Sequence, residues 1–135
     1  MITHTDKKAM SAVFITFSGN CKKALTFYQS CFGGVLQVKS FEKEFPSNKE
    51  IVVSGSLLAE GITIHGSDLV HNEGRKLGNY ISVFLGCRDR EQRRELIEKL
   101  TGTKKKPFDG NYDEQKLIEL TDPFDVRWVL GVLDQ

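Results

Sequence analysis

The sequence predicts an α+β fold of two βαβββ modules whose curved mixed sheet surrounds a shared cavity. Three observations predict it. An apolar run of strand length leads through a capping residue into an amphipathic helix, the same order begins again half-way along the chain, and the two copies align at one offset. At 135 residues the chain fits a single domain over 1–135. The first module is expected over 11–66, a linker over 67–78 and the second module over 79–133.

Residues 12–17 (AVFITF) are β-branched and aromatic, and read as a strand. Ser18-Gly19-Asn20 interrupts them and offers Asn20 as a helix N-cap. From Cys21 the apolar positions Ala24, Phe27, Tyr28 and Cys31 recur at helical spacing, and Gly33-Gly34 ends the helix. Strands are expected at 35–41, 51–59 and 62–65, divided by Pro46-Ser47-Asn48 and by Glu60-Gly61. The polar, glycine-punctuated stretch 66–78 then reads as the linker. A strand at 80–86 restarts the order. Asp89 is the second N-cap, Leu96, Ile97 and Leu100 form the buried face, and Gly102 is the stop. Further strands are expected near 103–108, 115–121 and 127–133, the last two joined at Asp122-Pro123-Phe124-Asp125.

Adding 69 carries Asn20 to Asp89, Phe27 to Leu96, Tyr28 to Ile97, Cys31 to Leu100 and Gly33 to Gly102. Each module places its helix on one face of its sheet and leaves the other face for a cavity lined by alternate strand residues. A binding function belongs in that cavity.

Composition excludes several function classes. Nineteen basic residues against eighteen acidic ones leave a net charge of +1, so no global field gathers nucleic acid or an anionic membrane. The basic residues of 88–94 are interleaved with Asp89 and Glu91, and 104–106 (KKK) reads as solvated surface. No apolar run reaches the length of about eighteen residues that a membrane span needs. The first residues, MITHTDKKAM, read as a frayed tail rather than a signal peptide. Cys21, Cys31 and Cys87 are an odd number without metal-type spacing, and read as free thiols of a cytoplasmic protein. Cys21 stands near a helix N-terminus, where a thiolate is favoured. No histidine is close to it in sequence, so a catalytic thiol is not expected.

The stretches 14–21 (FITFSGNC), Ala24 with Phe27-Tyr28 and Phe32-Gly33-Gly34, Gly66-Ser67-Asp68, and Thr121-Asp122-Pro123-Phe124 with Trp128 occur in this order along nearly the whole chain. In these the sequence resembles the vicinal oxygen chelate superfamily of glyoxalases, bleomycin-resistance proteins and extradiol dioxygenases, and within it the PhnB-like branch. The resemblance implies paired βαβββ modules and a homodimer. Asp125 stands where relatives usually carry glycine, and aspartate tolerates that left-handed turn position.

Enzymes of the superfamily hold a divalent metal with histidines on the first strand of each module and carboxylates on the last. Counting from Phe27-Tyr28 and from Asp122-Pro123, the resemblance puts these positions at Val13, about Ser82, and Val129. Valine cannot bind a metal and serine does so poorly. No metal and no other cofactor is therefore expected. His65 alone is a good ligand at an equivalent place.

The ligand-binding candidates are His65, Glu119, Tyr80, Ser82, Arg127 and Trp128. His65 ends the alternating stretch Ile62-Thr63-Ile64-His65; facing the cavity it hydrogen-bonds a ligand or acts as acid or base, and facing away it is a strand-end histidine. Glu119 is a charge within an apolar strand, and Arg127 could meet an anionic group. Phe14, Phe17, Tyr80, Tyr112 and Trp128 are aromatic residues for lining the cavity or filling a core. Some PhnB-like proteins carry a methyltransferase label. No strand here is followed by the glycine-rich turn of a nucleotide-type cofactor site. The leading expectation is a small-molecule-binding protein without the usual metal. A metal-dependent lyase, isomerase or dioxygenase using His65 and Glu119 is the alternative, and a non-catalytic interaction module is the third reading.

Overall fold

A computed structural model of the chain describes residues 11–40, 51–68, 77–102 and 114–133. In chain order they form β1 (Val13–Thr16), α1 (Cys21–Phe32), β2 (Val35–Ser40), β3 (Val52–Ala59), β4 (Ile62–Ser67), β5 (Val83–Cys87), α2 (Arg90–Thr101), β6 (Leu117–Thr121) and β7 (Arg127–Val132). The strand expected near 103–108 lies outside the described residues, as do His4, His71 and Tyr112.

Two mixed sheets result, one ordered β1-β4-β3-β2 and the other β5-β7-β6. In each, the first strand lies parallel to the last, and the remaining pairs are antiparallel. The first module shows the full βαβββ pattern, and the described residues of the second repeat it as βαββ. Period-two alternation decides which face is covered. Ile15 and Phe17, Leu57, and Ile64 are buried on the first sheet, and Ile118, Leu120, Trp128 and Leu130 on the second. Leu36 and Val38 on β2, and Val83 and Leu85 on β5, pack against the same core.

The core is continuous because α1 touches the inner faces of both sheets. Its Ala24 and Leu25 are fully buried, and Gly55 of β3 approaches so near that a Cβ there would stand 2.6 Å from Leu25 Cδ1. On the other side, Tyr28 and Phe32 meet Trp128 of β7 at ring-centroid distances of 5.8 and 5.5 Å. Phe27 packs on Phe124 at 5.5 Å. The outer face of each sheet is turned away from this shared layer.

Asp122 joins the modules. It is fully buried, and its carboxylate accepts four hydrogen bonds. Oδ2 accepts the Tyr28 hydroxyl at 2.6 Å and the Trp128 indole N–H at 2.8 Å. Oδ1 accepts the backbone amides of Phe124 (2.8 Å) and Val126 (3.1 Å). One carboxylate thus shapes the β6–β7 turn and ties it to a helix 94 residues earlier. Asp125 completes the turn at φ 67°, the left-handed conformation expected of it.

Asn20 occupies the N-cap position of α1 but makes no side-chain cap bond. The expectation that it caps the helix is corrected: the acceptor comes from Asp68, at the end of β4. Asp68 Oδ1 accepts from Gly19 N (2.7 Å) and Cys21 N (3.2 Å), while Oδ2 accepts from Val52 N (2.9 Å). Gly66 lets β4 run close beneath α1, since a Cβ there would meet Cys21 Sγ at 3.0 Å and Phe17 Cε2 at 3.2 Å. The stretch Gly66-Ser67-Asp68 is therefore a helix-capping device. Helix α2 is capped locally as expected, by Asp89 accepting from Gln92 N at 2.8 Å.

The single offset of 69 also needs correction. It holds for the helices, Cys21 matching Arg90. The first strands differ by 70, Val13 matching Val83 through their partners Ile64 and Trp128. The second module makes its strand-to-helix turn with one residue fewer, having no counterpart of Gly19, whose φ is 106°.

Each buried donor left without an acceptor costs about 1–3 kcal/mol. Asp122→Ala is therefore expected to lower unfolding stability in urea by about 3 kcal/mol or more, and Tyr28→Phe by about 1 kcal/mol. Equal losses in the two variants would contradict a joining role for Asp122.

Candidate functional site

The outer faces carry the candidate chemistry, and strand register arranges it in rows. On the first sheet Phe14, His65, Ser56 and Gln37 stand side by side across β1, β4, β3 and β2. Ser54 and Lys39 form a pair on one side of this row, and Thr63, Leu58 and Val35 line up on the other. Phe14 is 56% exposed although it is a large hydrophobic residue. Ser56 Oγ lies 2.8 Å from His65 Nδ1. That contact orients the imidazole and leaves Nε2 for another partner.

The equivalent row of the second sheet is Phe84, Val129 and Glu119. Phe84 matches Phe14, Val129 matches His65, and Glu119 matches Ser56. Beside this row the backbone of Gly131 lies under side chains: a Cβ there would stand 3.2 Å from Leu117 Cδ2 and 3.3 Å from Phe84 Cε1. Phe84 and Leu117 remain 55% and 61% exposed. Glu119 and Arg127 form an ion pair.

Of the six candidates, the structure joins only Glu119 to Arg127 among the described residues. His65 faces outward, beside Ser56. Ser82 is half-buried just ahead of β5, and Tyr80, two residues earlier, is exposed. Trp128 requires correction as a ligand-binding residue. It is fully buried against α1 with its indole N–H on Asp122. Neighbouring strand residues point to opposite faces, so Arg127 and Trp128 cannot share one. Phe17 is likewise core, 1% exposed.

Val13 is corrected on the same ground. It packs against the core with Ile15, and the outward positions of β1 are Phe14 and Thr16. Neither is a useful metal ligand. Val129 does face outward, in the place His65 takes in the first module. Among the described residues no group of three histidine, cysteine, aspartate or glutamate side chains could hold a metal ion. The donor set of the described residues does not fit the superfamily's metal.

Sequence reading missed Ser54, Ser56, Gln37 and Lys39. The signal was present in the stretches Ser54-Gly55-Ser56 and Gln37-Val38-Lys39, where polar residues alternate with a small or apolar one. Pairing across three strands turns these separate alternations into one polar surface.

No family model and no curated protein matches the chain. Solved structures do. The PhnB protein from Bacillus cereus, whose name also mentions a 3-demethylubiquinone-9 3-methyltransferase, is 19% identical with a TM-score of 0.73, over 93% of this chain and 100% of that one. A glyoxalase/bleomycin resistance protein/dioxygenase superfamily member from Sphaerobacter thermophilus is 22% identical with a TM-score of 0.53, over 93% and 98%. The fosfomycin resistance protein FosX from Listeria monocytogenes, in complex with Mn(II) and sulfate, is 18% identical with a TM-score of 0.58, over 95% and 94%. The chain therefore has the vicinal oxygen chelate fold that its sequence resembles.

The cysteines stand apart from the outer faces. All three are buried free thiols. The expected thiolate-favouring position of Cys21 is overturned: burial first, and then the Asp68 carboxylate, push its pKa up to about 12. Burial likewise raises Cys31 to about 11. Both folded-state values exceed the usual thiol range, so the folded protein holds more protons than the unfolded chain above about pH 9. Stability is expected to fall as pH rises from about 9 towards 12, with no contribution from these thiols at lower pH. Iodoacetamide at pH 8 should leave Cys21 unmodified in the native protein and label it in urea; native labelling within minutes would contradict the assignment.

Proposed function

We propose that this chain is a glyoxalase/bleomycin-resistance-like protein of PhnB-like type that binds a small molecule without the superfamily's usual metal. The carrying observation is the outer face of the first sheet, where Ser56 orients His65 beside an exposed Phe14. A preformed hydrogen-bonding group next to an apolar surface is the usual make-up of a small-molecule site.

A single open sheet cannot enclose a ligand. In this reading a second copy closes the site, and the protein is a cytoplasmic homodimer. Apolar exposure supports that: Phe14, Leu58 and Val35 on the first sheet, and Phe84 and Leu117 on the second, are each at least 45% exposed. The strands β1 and β5 are also sheet edges, available for pairing. Laying the first sheet of one chain against the second sheet of its partner covers both apolar sets and forms the cavity shared by two modules. No helix among the described residues is long and apolar enough to cross a membrane.

The metal-dependent alternative draws no support from the donors. Glu119, its second ligand, is already paired with Arg127, and among the described residues His65 is the one good ligand on its face. No reaction step is assigned through a metal.

Light scattering is expected to give a dimer mass. In a thermal-shift screen of metabolites, a ligand at roughly 100 times its Kd stabilises by about 2.7 kcal/mol, a rise of roughly 10 °C in Tm. His65→Ala should reduce that rise while leaving the ligand-free Tm nearly unchanged. A monomer unaffected by any metabolite would sink the proposal. A divalent ion retained at near one per chain would sink its metal-free part.

A further inference from the structure

The outer face of the first sheet has a charge character of its own. Lys39, Gln37, Ser54, Ser56, Thr63 and His65 all project from it, and each can donate a hydrogen bond. Their positions follow from register, with Lys39 opposite Ser54, Gln37 opposite Ser56, and Ser56 opposite His65. No aspartate or glutamate occupies an outward position on the described strands of this sheet. The second sheet differs, because there Glu119 neutralises Arg127.

We infer that this face binds the oxyanion of its ligand, a carboxylate, phosphate or phosphonate group, with Lys39 supplying charge and Ser54, Ser56, Gln37 and His65 supplying hydrogen bonds. The inference rests on the reading that the same face is the ligand site, and it names the ligand's chemical class.

The geometry suits a group of this size. Two strand spacings and a two-residue step separate Lys39 and His65 by roughly 12 Å between Cα atoms. The lysine stem reaches inward over Ser54 and Ser56, closing part of that distance. When the Ser56 hydroxyl donates to Nδ1, the neutral ring carries its proton on Nε2 as a further donor. A neutral ligand would leave the ammonium group of Lys39 without a counter-charge once a cavity closed over it, at an electrostatic cost. An oxyanion removes that cost. A charge-assisted hydrogen bond is also stronger than a neutral one.

The test is an NMR titration of the isotope-labelled full chain with inorganic phosphate, methylphosphonate and acetate, each at constant ionic strength. Saturable shifts are expected in the His65 ring and in the amides of Ser54 and Ser56. Lys39→Gln should weaken the apparent affinity by about tenfold, and His65→Ala should weaken it less. Neither substitution touches the buried core, so ligand-free spectra should remain those of the folded protein. Shifts reproduced by chloride, or unchanged in Lys39→Gln, would mark an adventitious ion only and overturn the inference. Uncharged metabolites that perturb this face while the anions do not would overturn the oxyanion assignment and leave the site standing. Silence from both classes would remove both.

Discussion

The Asp122 carboxylate is the constraint on which the arrangement of the modules depends. A buried charge is tolerable only when its lone pairs are filled, and here two amides, a phenol and an indole fill them. Those donors come from α1, from the β6–β7 turn and from β7. Satisfying one carboxylate therefore sets the angle at which the second sheet meets the first helix. The Tyr28 and Phe32 rings pack against Trp128 beside that contact. The shared aromatic layer follows from the polar contact as much as the reverse.

Because the inner faces are committed to this common core, chemical variety is left to the outer ones. Phe14, His65 and Ser56 occupy the positions that Phe84, Val129 and Glu119 occupy in the second module. The aromatic member is kept and the polar members differ. One face then presents donors and a lysine with no carboxylate among the described strand residues beside it, and the other an apolar surface with a neutralised ion pair. Scaffold symmetry does not extend to the chemistry it displays.

Much of this was legible in the sequence. The α1 core positions Ala24, Tyr28 and Cys31, the Gly33 stop, the Asp89 cap and the alternation of β6 all follow from local spacing. What escaped was non-local or depended on face. The cap of α1 comes from Asp68, 47 residues beyond the amide it binds, and spacing rules near Asn20 carry no trace of it. Counting from Phe27-Tyr28 lands on Val13, one residue from the outward Phe14, and one residue reverses a strand side chain. Trp128 is an aromatic strand residue whose face its type alone does not decide, and it packs in the core. The donor surface was invisible because its members come from β2, β3 and β4, and only register assembles them. The outward positions Phe14 and Thr16 are as unsuitable for holding a metal as Val13.

Asp68 gives the first module a different kinetic character from the second. Its carboxylate holds the amides of Gly19, Cys21 and Val52 together, so these belong to one cooperative opening unit. Helix α2 completes its cap within its own first turn and can begin to form before any strand is placed. Helix α1 has its cap only after the chain has travelled through three strands and returned. Closing that loop carries an entropic cost before the contact rewards it. The two halves, so alike when folded, are thus expected to consolidate by different routes: one nucleated locally, the other locked by its last strand.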